Sequence, residues 1–401
     1  MAQSLAYLGD MVSYVVLPLV ALTTLGASTA QVGLLAALGP LPVLLLGSHV
    51  GAWVDRTRSE AAVMRAAAVF RALVLASVAA VAAAGALTFT HLCLAAVLVG
   101  IASVWFNVAA QTAIPGLVER HELVAANAAT RMSFSVAAVI GPSLGGLLAG
   151  TVGAADALLV DSGAFALAAV LLAGVAVTRR EAAVEAGDDG SVLAGLRAIR
   201  RDGRQLGLLV ETVTAAFGFT AYFTLLLVFA TRELGLSPGQ LGTALGVGAI
   251  GAVGGAAVAA RVSRRIGLGP TVIAGAFVYA GALLAVPLAP RHDPLAATAV
   301  IAAAAFVSAA AMVISEIPAA SIQQAITPPG QLGRVRGVSL AANYGARTVA
   351  GVAAGGIGTV LGTGSAMPVV LAVALLGALW LLRGPLRAFK VIGDSQHRAT
   401  R

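Results

Sequence analysis

The stretch Asn127–Gly150, NAATRMSFSVAAVIGPSLGGLLAG, decides how the rest of the chain is read. After Arg131 no charged residue follows until Asp156. Roughly 20 apolar residues at ~1.5 Å each cross the hydrocarbon core of a bilayer, and this run is long enough. Its interior holds Gly141, Pro142, Gly145 and Gly146. Pro142 removes a backbone donor and kinks the rod, while the glycines bare the backbone for close contact with a neighbour. Asn127-x-x-x-Arg131 returns further on as Asn343-x-x-x-Arg347, again opening a long apolar run. A kinked membrane helix and its echo imply two related halves, with the glycine face laid against the second half.

Working outward, the same economy of charge holds throughout. Of 401 residues 59% are hydrophobic and 10% charged, against about 25% charged in soluble domains. Twelve spans of roughly 20 residues would occupy about 240 positions and leave short loops. The fold class is therefore an all-α polytopic membrane protein. Spans are expected near 1–25, 31–53, 61–83, 87–112, 127–150 and 153–177, then 206–230, 238–260, 270–289, 294–318, 334–361 and 366–387. This gives an N-terminal half (1–177), a linker (178–205), a C-terminal half (206–387) and a tail (388–401). In the linker, Val192, Leu193, Leu196 and Ile199 share one face of a short helix and arginines the other, as in a helix lying on the membrane surface.

The net charge of +8 does not mark a nucleic-acid binder, because the basic residues fall in alternate loops between apolar runs. By the positive-inside rule that asymmetry puts both termini in the cytoplasm of a cell's plasma (inner) membrane. Cys93, the single cysteine, allows no intramolecular disulfide and reads as a buried, inert thiol. No cleavable signal peptide is visible, since the first apolar run is too long and lacks a basic lead.

Sliding the chain by 209 residues lays Gly9 on Gly218, Leu25-Gly26 on Leu234-Gly235, Gln31 on Gln240, Gly33 on Gly242 and Gly39 on Gly248. With small insertions Gln111 and Pro115 then match Gln324 and Pro328. Polar and proline matches kept in order imply two six-helix halves related about the membrane normal, with a transport path between them.

With these motifs assembled, the chain resembles the major facilitator superfamily. Gly51-Ala-Trp-Val-Asp55-Arg56-Thr57-Arg58 is similar to its signature loop after span two. Gly141-Pro142-Ser-Leu-Gly145-Gly146 is similar to the signature of its antiporters. Gly9-Asp10, QTAIPGLVERHELVAANA and Leu159-Val160-Asp161-Ser162 resemble the branch holding macrolide and multidrug efflux pumps and the enterobactin exporter. The chain departs from the pattern in span four, where SVWFNVAAQ has no arginine, and at Ala137, usually a glycine. The resemblance implies a major facilitator fold of twelve helices. It implies alternating-access export of amphipathic small molecules, with proton antiport. The alternatives are a dedicated exporter of one metabolite, such as a siderophore, and a non-transporting sensor on the same fold.

Individual residues carry that expectation. Asp10, Asp161, Glu211 and Glu316 are acids inside apolar runs and candidates for proton coupling. A carboxylate in hydrocarbon costs about 2.5–3.5 kcal/mol on insertion scales, so each needs a cavity or a partner. Asp10 could instead be interfacial and Glu211 a simple helix-end charge. Arg71 is expected to pair with Asp10 or Asp161. Gly51, Asp55, Arg56, Arg58, Asn127, Arg131, Asn343 and Arg347 are assigned to gating along with the glycine face. Tyr14, Phe106, Asn107, Phe134, Phe219, Tyr222 and Phe223 lie mid-span and are candidate walls of a substrate cavity. No catalytic constellation, metal-ligand spacing or phosphate-binding loop is present in the sequence. The expected partners are thus a small-molecule substrate, protons and lipids. No cofactor, metal or nucleic acid is expected, and the protein reads as a monomer.

Overall fold

The computed structural model describes residues 1–54, 57, 59–119, 122–174, 192–327 and 332–388. Within them the chain is helical, with no strand. The helices are α1 (Ala2–Thr23), α2 (Thr29–Leu38), α3 (Leu41–Val54), α4 (Glu60–Ala83), α5 (Phe89–Leu117), α6 (Leu123–Thr151) and α7 (Ala154–Ala173). After the short α8 (Val192–Arg201) come α9 (Gly203–Val228), α10 (Pro238–Ile266), α11 (Leu268–Leu283), α12 (Pro294–Ile326), α13 (Leu332–Leu361) and α14 (Thr363–Arg383).

Eleven of the described helical segments are long and apolar enough to span a membrane. The twelfth expected span is α13, 30 residues long, whose Asn343, Tyr344 and Arg347 dilute its apolar character. Span two, expected as one rod, is broken at Gly39-Pro40 into α2 and α3. The bend lets α5 come close: a Cβ on Gly100 would stand 2.6 Å from the carbonyl oxygen of Gly39. Cys93, expected to be buried, is half-buried.

The chain divides into two compact units, Met1–Ala186 with Leu236–Gly246, and Gly187–Gly235 with Val247–Arg401. In the first, α1 packs on α6 and α7, and α4 on α5 and α7. In the second, α9 packs on α13 and α14, and α11 on α12 and α14. Each α1 relation thus has an α9 counterpart, which is the sequence repeat expressed as packing. Gly9 lets α1 approach Phe165 of α7, and its repeat partner Gly218 lets α9 approach Ala374 of α14.

The loops repeat as well. Gly26 and Gly235 both turn the chain at positive φ, 61° and 64°, a conformation glycine adopts without a Cβ penalty. Two residues on, Ser28 and Gln31 form a reciprocal capping box, with hydrogen bonds of 3.3 and 2.8 Å. Ser237 and Gln240 repeat it at 3.2 and 2.9 Å. Such a box satisfies two orphan amides at a helix start.

Two expectations change here. The apolar face of α8 was assigned to lipid, yet its Ile199 is buried against Val335 and Val338 of α13. The glycine face of α6 was expected to meet the second half as a whole, but it divides. Gly141 and Gly145 face Met11, Val12 and Val16 of α1, while Gly146 faces Gly242 and Gly150 faces Gly239. Only the latter pair touches α10, whose first turns belong to the first unit.

Candidate functional site

In the first unit, α1, α4, α5 and α7 bring intramembrane charges together. Asp10 and Ser13, three residues apart, lie on one face of α1. Arg71 of α4 forms an ion pair with Asp10 and is fully buried, while the Asp10 side chain keeps 18% of its exposure. On α7, Asp161 also acts electrostatically on Arg71. Its Oδ2 accepts a hydrogen bond from Ser13, and its Oδ1 is buried without a hydrogen-bond partner. One turn along α7, the Phe165 ring lies under the Arg71 guanidinium at 3.8 Å. Ser103 Oγ of α5 stands 3.2 Å from Asp10 Oδ1. Of the two acids the sequence offered, Arg71 is thus ion-paired with Asp10 and within electrostatic reach of Asp161. Asp10 is an ion-pairing group, its side chain partly open.

Gly9 makes this convergence possible. A Cβ there would lie 2.7 Å from Asp161 Oδ1 and 2.6 Å from the Phe165 ring. Helix rise puts Asp10 about 12 Å and Arg71 about 17 Å from the ends where α1 and α4 begin. Charges at such depth are retained in membrane proteins for function or for pairing.

In the second unit, Glu211 of α9 and Glu316 of α12 interact electrostatically, and Arg347 of α13 acts on Glu316. Arg347 Nε donates to Asn343 Oδ1 at 3.0 Å. Its guanidinium carbon lies 5.8 Å from the centre of the Phe219 ring. Phe219 in turn stacks on Phe223, 5.8 Å between centroids at 17°. Glu316 is exposed, and Glu211, Arg347 and Phe219 are half-buried.

The other sequence candidates fall into three groups. Tyr14 and Asn107 are half-buried, and Phe134, 43% exposed, meets Tyr7 edge-to-face. Phe106, by contrast, is fully buried in the core, and Tyr222 and Phe223 are nearly so. In this conformation these three pack in the core and line no open surface, since mid-span aromatics supply large apolar area to helix contacts. Asp55, Arg56 and Arg58 lie outside the described residues. So do the side chains of Asn127 and Arg131, although both residues stand on α6, and Gly51 stands on α3. Ser13, Ser103 and Phe165 were missed. Serines on apolar helices give no charge signal, and Phe165 looks like any core aromatic.

The family model for the Major Facilitator Superfamily matches residues 1–350. The chain belongs to the major facilitator superfamily. It is a multi-pass membrane transporter of that family and not an enzyme. Among solved structures it is similar to a bacterial homologue of the human lysosomal transporter Spinster in an inward-facing, occupied conformation, with a TM-score of 0.72 and 16% identity over 98% of this chain and 97% of that one. A bacterial homologue of the iron transporter ferroportin, also inward-facing, gives 0.73 at 16% identity over 95% and 96%. The nucleoside transporter NupG gives 0.70 at 12% identity over 95% and 96%. At these identities the likeness concerns the fold alone. No curated protein sequence matches the chain.

Proposed function

We propose that this transporter is a secondary exporter. It moves amphipathic small molecules out across the plasma membrane by alternating access, driven by inward proton flow, with both termini in the cytoplasm. The observation that carries the reading is Arg71, fully buried and ion-paired with Asp10, with Asp161 acting on it from α7.

With both aspartates ionised this group holds one net negative charge, and an uncompensated buried charge costs several kcal/mol. A single proton removes it. Asp10, the more open acid, is the side from which a proton arrives. Once Asp10 is neutral its hold on Arg71 weakens, and Arg71 turns to Asp161. The proton thereby changes which of α1 and α7 is tied to α4. A difference of ~1.4 kcal/mol between the two pairings shifts their populations tenfold, enough to bias a two-state cycle.

Purified protein in proteoliposomes tests this with an imposed pH gradient and a panel of fluorescent amphipathic compounds. Uphill movement coupled to proton flux is expected. Asp161→Asn and Asp10→Asn should each abolish uphill movement by ~100-fold or more while downhill exchange persists. Gradient-driven accumulation that survives both substitutions would falsify the proton assignment. Transport of one metabolite alone would favour the dedicated exporter.

A further inference from the structure

Each aspartate of the first unit's charge group has a serine beside it, and the two serines are not equivalent. Ser103 Oγ lies 2.8 Å from the Val99 carbonyl oxygen of its own helix and 3.2 Å from Asp10 Oδ1. One hydroxyl carries one proton to donate, so Asp10 shares this donor with the helix backbone. Ser13, buried in the core, donates to Asp161 Oδ2. Asp161 is 3% exposed, and among the described residues its Oδ1 has no hydrogen-bond partner.

The contacts around Asp161 also bring it close to Arg71. Asp161 Oδ1 and the edge of the Phe165 ring meet at one point of α1, where a Cβ on Gly9 would stand 2.7 and 2.6 Å from them. The same ring carries the Arg71 guanidinium at 3.8 Å. The residues that follow the two charges are joined directly, Ser162 Oγ donating to the Ala72 carbonyl oxygen at 2.7 Å. This bond fastens α7 to α4 without using either charge, so Arg71 reaches Asp161 by turning its side chain. What keeps it on Asp10 is then the difference between the two acids. A carboxylate that already accepts from a buried hydroxyl is partly satisfied and competes less well for a guanidinium. Without that hydroxyl Asp161 is a buried carboxylate with no hydrogen bond, a costly state, and Arg71 is the donor at hand.

We propose that Ser13 is a positioning residue: its hydroxyl stands in for Arg71 on Asp161 and so holds Arg71 on Asp10 until a proton arrives. This role rests on the proton-coupled exporter reading and adds to it the residue that sets the resting pairing.

The reactivity of Asp10 toward the apolar reagent dicyclohexylcarbodiimide tests it, because an ion-paired carboxylate reacts slowly and a released one fast. Rates are read at Asp10 by peptide mass spectrometry on the purified full-length protein in a neutral detergent. Ser13→Ala should raise the rate by about tenfold. Ser13→Thr, which keeps the hydroxyl, should react like the parent, and Ser13→Cys, a weaker donor of similar size, should fall between. Adding Asp161→Asn to Ser13→Ala should return the rate to that of Asp161→Asn alone, since Arg71 then has no second carboxylate to turn to. A packing role for Ser13 predicts instead the same rise in both backgrounds, and that result overturns the proposal, as does an Asp10 rate unchanged in Ser13→Ala and Ser13→Cys. In proteoliposomes Ser13→Ala should lose uphill transport by about tenfold while Ser13→Thr keeps it. If the labelling pattern holds but the parent moves nothing against a pH gradient, the pairing role stands and the exporter reading fails. If the parent does so and Asp10 labelling ignores Ser13, the exporter reading stands and the role of Ser13 fails.

Discussion

At the scale of the residue, neighbouring glycines in one motif do different work. Gly145 faces α1, where a Cβ would lie 3.1 Å from the Val12 carbonyl oxygen and 3.3 Å from a Val16 methyl. Gly146 faces backbone: its Cβ would lie 2.5 Å from Gly242 Cα and 2.8 Å from Gly242 N. Both glycines meet backbone, which cannot rotate away, but the approach at Gly146 is the closer, 2.5 Å against 3.1 Å. Gly146→Ala should therefore cost about 1–3 kcal/mol, and Gly145→Ala clearly less. Thermal denaturation in detergent would show the ordering, and equal losses would remove the distinction. The sequence announces that this motif needs glycine. It does not announce which helix each glycine serves, because consecutive positions on a helix point about 100° apart and both neighbours are apolar. The same blindness hid Ser13 and Ser103, which touch the Asp161 and Asp10 carboxylates.

At the scale of the element, α9 starts with a polar lock at its cap, Asp202, the residue before the spanning segment. Asp202 caps the helix by accepting from the Arg204 amide at 2.8 Å. The Arg204 guanidinium grips its carboxylate through Nε at 3.1 Å and Nη2 at 2.9 Å. Burial on its own raises the Asp202 carboxyl, but the Arg204 side-chain and backbone hydrogen bonds outweigh it and hold the group below its usual range. A carboxyl lowered on folding contributes stability above its unfolded value, and that contribution is lost as pH falls through the folded one. Melting temperature followed from pH 7 downward should fall in the parent below the ordinary aspartate range. It should fall less in Asp202→Asn, which starts lower at pH 7. Parallel profiles would mean the lock contributes nothing. The span pattern was legible here because hydropathy is a local property, whereas the seat of α8 was not. Ile199 was visibly part of an apolar face, but whether lipid or α13 covers such a face depends on packing far along the chain.

At the scale of the whole molecule, the repeat was legible in Gly9 and Gly218, and again in Gln31 and Gln240, because polar and glycine positions resist chance alignment. The compact units do not follow the repeat boundary, since Leu236–Gly246 lies in the second half by sequence and clusters with the first unit. Co-expressed fragments 1–186 and 187–401 should accordingly co-purify, and Gly146→Leu should abolish this by displacing Gly242. Co-purification unaffected by that substitution would show that the α6–α10 contact does not hold the fragments together. The same placement sets a timetable for synthesis. A ribosome adding ~5–20 residues per second has finished the first unit's main segment well before it makes the strip that covers Gly146 and Gly150. About 90 residues separate the end of α6 from Gly242, so for roughly 5–18 s the newborn helix lies in the bilayer with that glycine ridge uncovered, a window in which lipid or an insertion chaperone must hold the place of α10.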